Sequence, residues 1–390
     1  MTLALSERID RLHPSPVREI LRAAAGRDLA SLAGGLPAEE TFPSFPGLPG
    51  GWAQYGTTEG EAELREEISR LLLHRGLECP AERILVLNGS QQGLDLAAKL
   101  FVDPGTPVLC EAPTYLAALQ VFRLFGARLH GLPLGPQGPD PAMIGPALSQ
   151  SRARLAYAIP TYQNPTGVVW SEESREALAR AADEHDCAIL EDDPYCEIGF
   201  GAAPPSPICS RIRQAPWIYL GSFSKSFVPG LRMGFLAASV DLFPHLERLK
   251  QAADLHSNRL SQALVLQDLL DPARSARLDA VREEYRRRRD AFDASLRRHF
   301  PSARWTAPEG GLFFWARLSR RLDLREVFQD ALDAGVAFLP GEHCFPGDAE
   351  PGWARLNFSH CAPRRADEAL EVLARVVAEA ERLSPSADSP

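Results

Sequence analysis

The sequence predicts an α/β fold with a mostly parallel sheet, and three observations carry that expectation. Short apolar runs alternate with helical patterns between about residues 83 and 240. The runs are hydrophobic almost throughout, without strict alternation, as suits strands covered on both faces. The length of 390 residues also exceeds what one compact core usually supports, so a larger unit and a smaller one are expected.

In chain order, RILVLNG (83–89), PVLCEA (107–112), RLAYAIP (154–160), CAILEDD (187–193), WIYLGS (217–222) and RMGFLAA (232–238) read as strands. Between the third and fourth, SEESREALARAADEHD (171–186) reads as a helix. Ser171 is its N-cap, with Leu178, Ala181 and Ala182 on one face. Strand, helix, strand at this spacing is the βαβ pattern. A long helix is predicted near 277–300, with Leu278, Val281, Tyr285, Phe292 and Leu296 on its apolar face and the run Arg286 to Arg289 on a solvated one. Then GGLFFWARL (310–318), VAFLPG (336–341) and WARLNFS (353–359) read as strands of a second unit, closed by a helix over 365–383. Residues 384–390 have the composition of a disordered tail.

An apolar fraction of 45% and a charged fraction of 24% suit a soluble globular protein. A formal charge of −9 argues against nucleic acid or anionic membrane as a partner. Seven cysteines without a C-x-x-C pair point to a reduced interior instead of a disulfide framework. MTLALSERID meets charges before any stretch of signal-peptide length, and no apolar run reaches the roughly 18 residues that span a bilayer. A cytoplasmic protein is expected. The histidines form no H-E-x-x-H and none has zinc spacing with Cys, so no metal site is expected. Neither G-x-S-x-G nor a Walker A loop is present.

Ligands of open α/β sheets sit beyond the carboxyl ends of the strands. Those ends carry Asn88-Gly89-Ser90, Pro160 to Gly167, Asp192 to Tyr195, and Ser222 to Lys225. A lone lysine past a strand is ordinarily a surface residue, and Arg232 alone would be a surface ion-pair residue. An acid after an apolar strand, like Asp192, is often a cap. Its neighbours Glu191 and Asp193 must point to the opposite face. Asn164-Pro165-Thr166-Gly167 alone would be a turn. Gly89-Ser90-Gln91 precedes a helical pattern, whose N-terminus favours an anion such as phosphate. Tyr115 alone would be a packed core tyrosine.

Taken together, Ser222, Lys225 and Arg232 resemble the S-x-S-K-x-x-x-P-G-L-R signature of fold-type I aminotransferases, which depend on pyridoxal 5′-phosphate. The resemblance runs from about Ser31 to Ala380. Within fold-type I it is similar to the 2-aminoadipate and kynurenine aminotransferase group, through SLAGGLP, GSQQGLDL, PTYQNPTG, EDDPY, GSFSKSFVPGLR and ADLH (253–256). It implies that Lys225 holds the coenzyme as a Schiff base and that Asp192 contacts the pyridinium nitrogen. Tyr195 and Asn164 would reach the ring oxygen, Tyr115 would stack on the ring, and Ser90, Gln91, Ser222 and Arg232 would surround the phosphate. Arg355, with Asn164, would take the substrate α-carboxylate, and Gly35 would lie against substrate. Arg18 aligns with an arginine that contacts distal carboxylates in the aminoadipate group. Tyr55, in Y-x-x-x-x-G-x-x-x-L-R, would reach the phosphate of a neighbouring subunit, making the protein a homodimer.

The family fold implies a large coenzyme-binding domain over 46–289 and a small α+β domain built from 1–45 and 290–383. The activity implied is transfer of the α-amino group of an L-amino acid to a 2-oxo acid of the 2-oxoglutarate type, with ping-pong kinetics. The same residues would serve β-elimination or decarboxylation. A ligand-sensing module of the kind fused to DNA-binding domains is a further alternative, disfavoured by the short stretch before the fold. Two departures from the family pattern bear on substrate choice: Glu342-His343-Cys344-Phe345-Pro346 in place of an apolar or glycine-rich run, and Arg259 where a smaller or apolar residue is commoner.

Overall fold

The computed structural model describes residues 30–32 and 56–383. At the start β1 (Ala30–Ser31) pairs in parallel with residues 336–337. The apolar runs then form a seven-stranded sheet from β2 (Ile84–Leu87), β3 (Pro107–Ala112), β4 (Arg128–Pro133), β5 (Leu155–Ala158), β6 (Ala188–Asp193), β7 (Trp217–Ser222) and β8 (Gly234–Ala238). Their order is β2-β8-β7-β6-β5-β3-β4, and only β8 runs antiparallel to its neighbours. The sequence patterns mark six of the seven. They miss β4, an edge strand whose RLHGLP keeps only Leu132 buried, so it lacks the apolar run that identifies the others.

The strands are apolar on both sides because helices cover both faces. Leu85, Leu87, Leu220 and Leu236 pack with Leu94, Leu119 and Phe122 of the helices Ser90–Phe101 and Leu116–Leu124. On the other face, Ile84, Val86 and Ile189 pack with Leu64, Ile68 and Leu72 of Ala62–His74 and with Leu178 and Ala182 of Glu172–His185. Each fully buried aliphatic chain contributes about 1.5–3 kcal/mol from removal of apolar surface from water. The helix Glu172–His185 starts where the sequence indicates, with Ser171 Oγ accepting from Ser174 N at 3.2 Å.

A second core gathers around an antiparallel sheet of β9 (Arg304–Trp305), β10 (Phe313–Arg317), β12 (Leu339–Pro340) and β13 (Trp353–Asn357), while β11 (Val336–Ala337) pairs with β1. The stretch 336–341, read from sequence as one strand, therefore divides between two sheets. The helix Arg274–His299 buries Leu278, Val281, Tyr285, Phe292 and Leu296, and Pro363–Leu383 adds Leu370, Leu373 and Val377 to the same core. The arginine run departs from the expected solvated face. Arg286 and Arg287 are exposed and paired with Glu283 and Glu284, but Arg288 is buried. Its Nη1 donates to the carbonyls of Ser359 at 2.7 Å and of His360 and Cys361 at 3.3 Å. All seven cysteines are free. No helix among the described residues is long and apolar enough to cross a membrane.

Candidate active site

Strand register sets the floor of the site. Gly234 of β8 faces Leu87 on one side and Ser222 on the other, and Gly221 faces Asp193 of β6. The ends of β2, β6 and β7 are thus level, and the turns following them open onto one space.

At the end of β2, Gly89 adopts φ 79° and ψ 160° and passes the chain into the helix Ser90–Phe101. The first N–H groups of that helix, on Ser90 and Gln91, have no carbonyl of a preceding turn to bond, so they are available to an anion. A side chain at Gly89 would meet Arg232 Nη2 at 2.7 Å, and one at Gly234 would meet Ser90 N at 2.8 Å. Glycine at both positions is what lets the guanidinium and the helix start approach one another. Arg232, held at φ 53°, also donates from Nη1 to Ser224 Oγ at 3.4 Å, and Ser222 Oγ accepts from Ser224 N at 3.2 Å. Ser90, Gln91, Ser222 and Arg232 are therefore brought together around a cradle for an anion. Asp254 braces it from behind: its Oδ2 accepts from Asn88 Nδ2 at 2.6 Å and Gln92 Nε2 at 2.7 Å, and its Oδ1 from Lys250 Nζ at 2.6 Å.

The three acids closing β6 separate by face. Asp193 accepts from Arg75 Nη2 at 3.1 Å and Tyr219 Oη at 2.8 Å, and Glu191 accepts from Cys209 N at 2.9 Å. Asp192 points the other way, where Tyr157 Oη donates to its Oδ2 at 2.9 Å. Burial pushes the Asp192 carboxyl up to about 7, against the pull of the Tyr157 hydrogen bond, and Lys225 also draws it down. Lys225 moves the opposite way. Burial, then the positive charges of Arg232 and Arg355, lower its amine to about 8 despite the attraction of Asp192.

Arg355, on β13, is buried and donates from Nη1 to Asn164 Oδ1 at 2.9 Å, with its guanidinium carbon 4.2 Å from the centre of the Phe313 ring. Asn164 Nδ2 in turn donates to Tyr195 Oη at 3.3 Å. Burial raises the Tyr195 phenol well above its usual range, keeping it a neutral donor. Tyr115 Oη donates to Gln91 Oε1 at 3.4 Å, and the charges of Asp192, Arg355 and Arg232 all act on its phenol. Tyr115, Asn164, Tyr195 and Arg355 thus border the same space as the cradle.

Two residues here are not singled out by the sequence. Tyr157, in the middle of LAYA, reads as core, and its bond to Asp192 has no local motif. Glu111 also reads as strand interior. Its Oε1 accepts from Ile159 N and Trp170 Nε1, each at 3.1 Å, and its Oε2 from Thr114 Oγ1 and Gln163 Nε2, each at 3.0 Å. This one carboxylate ties the segment before Tyr115 to the loop carrying Asn164. The departures noted in sequence are engaged as well. Glu342 Oε1 accepts from Leu324 N and Gly352 N, each at 3.1 Å, and Arg259 Nε donates to Glu61 Oε1 at 2.6 Å. Tyr55, Gly35, Arg18 and the tail 384–390 lie outside the described residues.

The residues present fit pyridoxal 5′-phosphate. Asp192 Oδ1 is buried without a hydrogen-bond partner among the described residues, so it has an acceptor to offer a protonated ring nitrogen. The cradle offers backbone donors and a guanidinium to a phosphate, and Lys225 offers an amine with a lowered pKa.

Comparison with known proteins agrees with this geometry. The family model described as "Aminotransferase class I and II" matches residues 38–373. The 2-aminoadipate transaminase of Thermus thermophilus is 38% identical, covering 90% of each chain. Aromatic-amino-acid aminotransferase 1 of Thermococcus litoralis is 34% identical over 96% of this chain and 94% of its own. The crystal structure of the α-aminoadipate aminotransferase of Thermus thermophilus, complexed with N-(5′-phosphopyridoxyl)-L-leucine, superposes with a TM-score of 0.87 at 36% identity, covering 98% of this chain and 99% of the other. The mostly parallel seven-stranded sheet, the coenzyme and the transamination they imply all follow: the chain belongs to the class I and II aminotransferases and is a pyridoxal phosphate-dependent enzyme.

Proposed function

We propose that Lys225 is the catalytic residue and that its neighbours divide the holding of coenzyme and substrate between them. The observation carrying this reading is that Asp192, Arg232 and Arg355, from three separate segments, all lie close enough to act electrostatically on the Lys225 amine. In it, Ser90, Gln91, Ser222 and Arg232 hold the phosphate, and Asp192 Oδ1 faces the ring nitrogen. Tyr195 and Asn164 face the ring oxygen, and Tyr115 covers the ring. When bound, the coenzyme supplies the electron sink that lets a Cα–H bond of an amino acid break heterolytically.

Arg355 presents its planar fork to the α-carboxylate, and Asn164, bonded to Nη1, fixes the guanidinium's orientation. Lys225 Nζ, half neutral near pH 8, takes the Cα proton and holds it as an ammonium. Arg232 and Arg355 raise the energy of that ammonium, so the proton is passed on readily. The oxo acid product leaves before the second oxo acid enters, which gives ping-pong kinetics.

We place the donor among L-amino acids with extended or aromatic side chains, and the acceptor among 2-oxo acids of the 2-oxoglutarate type. The relatives named for 2-aminoadipate and aromatic amino acids support this choice. The same proposal includes a cytoplasmic homodimer in which Tyr55 reaches the partner's phosphate, with Gly35 and Arg18 at the substrate. It also includes a division into 46–289 against 1–45 with 290–383, the helix Arg274–His299 crossing that boundary. The test is spectral. A panel of amino acids should discharge the yellow coenzyme with formation of one oxo acid per chain, and Lys225→Ala should abolish turnover. Ammonia release in place of oxo-acid-coupled transfer would point to a lyase, and wild-type turnover by Lys225→Ala would refute the role of Lys225.

A further inference from the structure

A half-open groove of about 570 Å³ lies at the surface beside the second core, between the strands β9 and β10 and the helix Pro363–Leu383. None of the residues grouped around Lys225 lines it. Its wall includes Arg304, Arg317, Arg320 and Arg321, with Leu318 and Val377 among the apolar contributors. In a chain with 51 acids against 42 bases, such a concentration of positive charge runs against the overall balance.

Pairing within the sheet makes the concentration costly. Arg304 and Arg317 sit directly opposite one another in the antiparallel register, and like charges so placed repel. Elsewhere on this part of the surface, arginines meet acids: Arg297 pairs with Asp293, Arg298 with Asp367 and Arg325 with Asp323. Here Arg317 reaches Glu350 only at 3.5 Å, and its buried Nε has no hydrogen-bond partner among the described residues. Arg304, Arg320 and Arg321 are exposed to solvent, and among the described residues none of them pairs with a carboxylate. The one acid on the wall, Glu381, already accepts from Ser319 Oγ through its Oε1.

We propose that this groove binds a small phosphomonoester, its dianionic head taken by Arg304, Arg320 and Arg321 and its apolar body resting on Leu318 and Val377. A planar carboxylate is satisfied by a single forked arginine. Guanidinium groups lining one groove from two segments, Arg304 on one and Arg320 with Arg321 on the other, suit a tetrahedral head with three acceptor oxygens. The volume is in the range of small-molecule sites, roughly 300–1,000 Å³. The site is separate from the coenzyme's own phosphate cradle.

The test uses the holoenzyme, so that the coenzyme occupies its own site. Isothermal titration with phenyl phosphate should show one saturable site per chain while the coenzyme's visible absorbance stays unchanged. Inorganic phosphate should bind more weakly than phenyl phosphate, and benzoate at least tenfold more weakly. The double variant Arg304→Gln/Arg321→Gln should lose at least tenfold in affinity with turnover unchanged. If that variant does not fold, Arg320→Gln, in an exposed bend, should still weaken binding severalfold. No saturable binding, benzoate binding as tightly as phenyl phosphate, affinity unchanged in the variants, or binding accounted for by coenzyme displacement would each overturn the proposal.

Discussion

Tyr157 donates to Asp192 Oδ2 at 2.9 Å, so one oxygen of that carboxylate is committed to the protein while Oδ1 faces the site without a partner among the described residues. The division of labour within one side chain gives two separable expectations. In the proposed site Asp192→Asn would remove the charge that keeps a ring nitrogen protonated, and kcat should fall by about 10²–10³-fold, as when one preorganised electrostatic group is lost. Tyr157→Phe leaves the charge but loosens its orientation and should cost about tenfold, in line with one hydrogen bond to a charged group. Steady-state kinetics on both variants checks the order; equal losses would mean that Tyr157 and Asp192 cannot be separated.

The lowered pKa of Lys225 sets a pH dependence whose sign is fixed. With a value near 8, the reactive neutral amine is the minor form below pH 8 and the major form above it. Uptake of pyridoxal phosphate by apoenzyme should therefore accelerate about tenfold per unit up to roughly pH 8 and then level. Because Arg355 is one of the charges lowering the amine, Arg355→Gln should move the midpoint upward. Stopped-flow absorbance between pH 6 and 10 reads both; a wild-type midpoint near the ordinary lysine value of about 10.4 would contradict the buried, cation-flanked amine.

Arg355 and Asn164 form a unit in which the amide holds the guanidinium, and in the proposed site that guanidinium would meet the substrate. Arg355→Lys keeps the charge but loses the fork, so kcat/KM for any α-amino acid should drop by about 1.5–3 kcal/mol, roughly 10- to 150-fold. The loss should be the same across donors of different side chain, since the α-carboxylate is common to all. Donor-dependent losses would move Arg355 to side-chain recognition.

Glu111 makes a prediction about both stability and rate. Glu111→Ala strands the Trp170 indole N–H, the Ile159 N–H, the Thr114 hydroxyl and one Gln163 donor inside the protein. The loss should be about 3 kcal/mol or more in denaturant unfolding. Glu111→Gln keeps the volume and one acceptor, so it should be milder in stability. It should still raise KM, because the loop holding Asn164 is less firmly set. Unchanged KM in a folded Glu111→Gln would mean that the tie serves only the fold.

Much of this molecule is legible in its sequence for specific reasons. The strands β6 and β7 begin as apolar runs and end in polar residues, so both their existence and the location of the site can be read. The alternation of a strand separates Asp192 from Glu191 and Asp193 without any structure. What stays hidden depends on partners far away in the chain. Arg288 and Arg175 look like surface arginines of charged helices, yet Arg288 caps carbonyls at 359–361, and Arg175 Nη2 donates to Pro160 O at 2.6 Å beneath the Asn164 loop. Tyr157 and Glu111 read as core because a polar atom's buried partner leaves no periodic trace. The edge strand β4 escapes notice because solvent covers the residues that would have marked it.

The bond between Asn164 and Arg355 joins residues 191 positions apart, and the cradle at Ser90 precedes both. The binding site thus comes into being only when the last strand, β13, has closed onto the first half of the chain. Coenzyme capture then reports completed folding: a chain halted before residue 355 should not compete for pyridoxal phosphate on equal terms. Because ligand binds only the finished form, vitamin supply would set how much of the population survives heat or proteolysis.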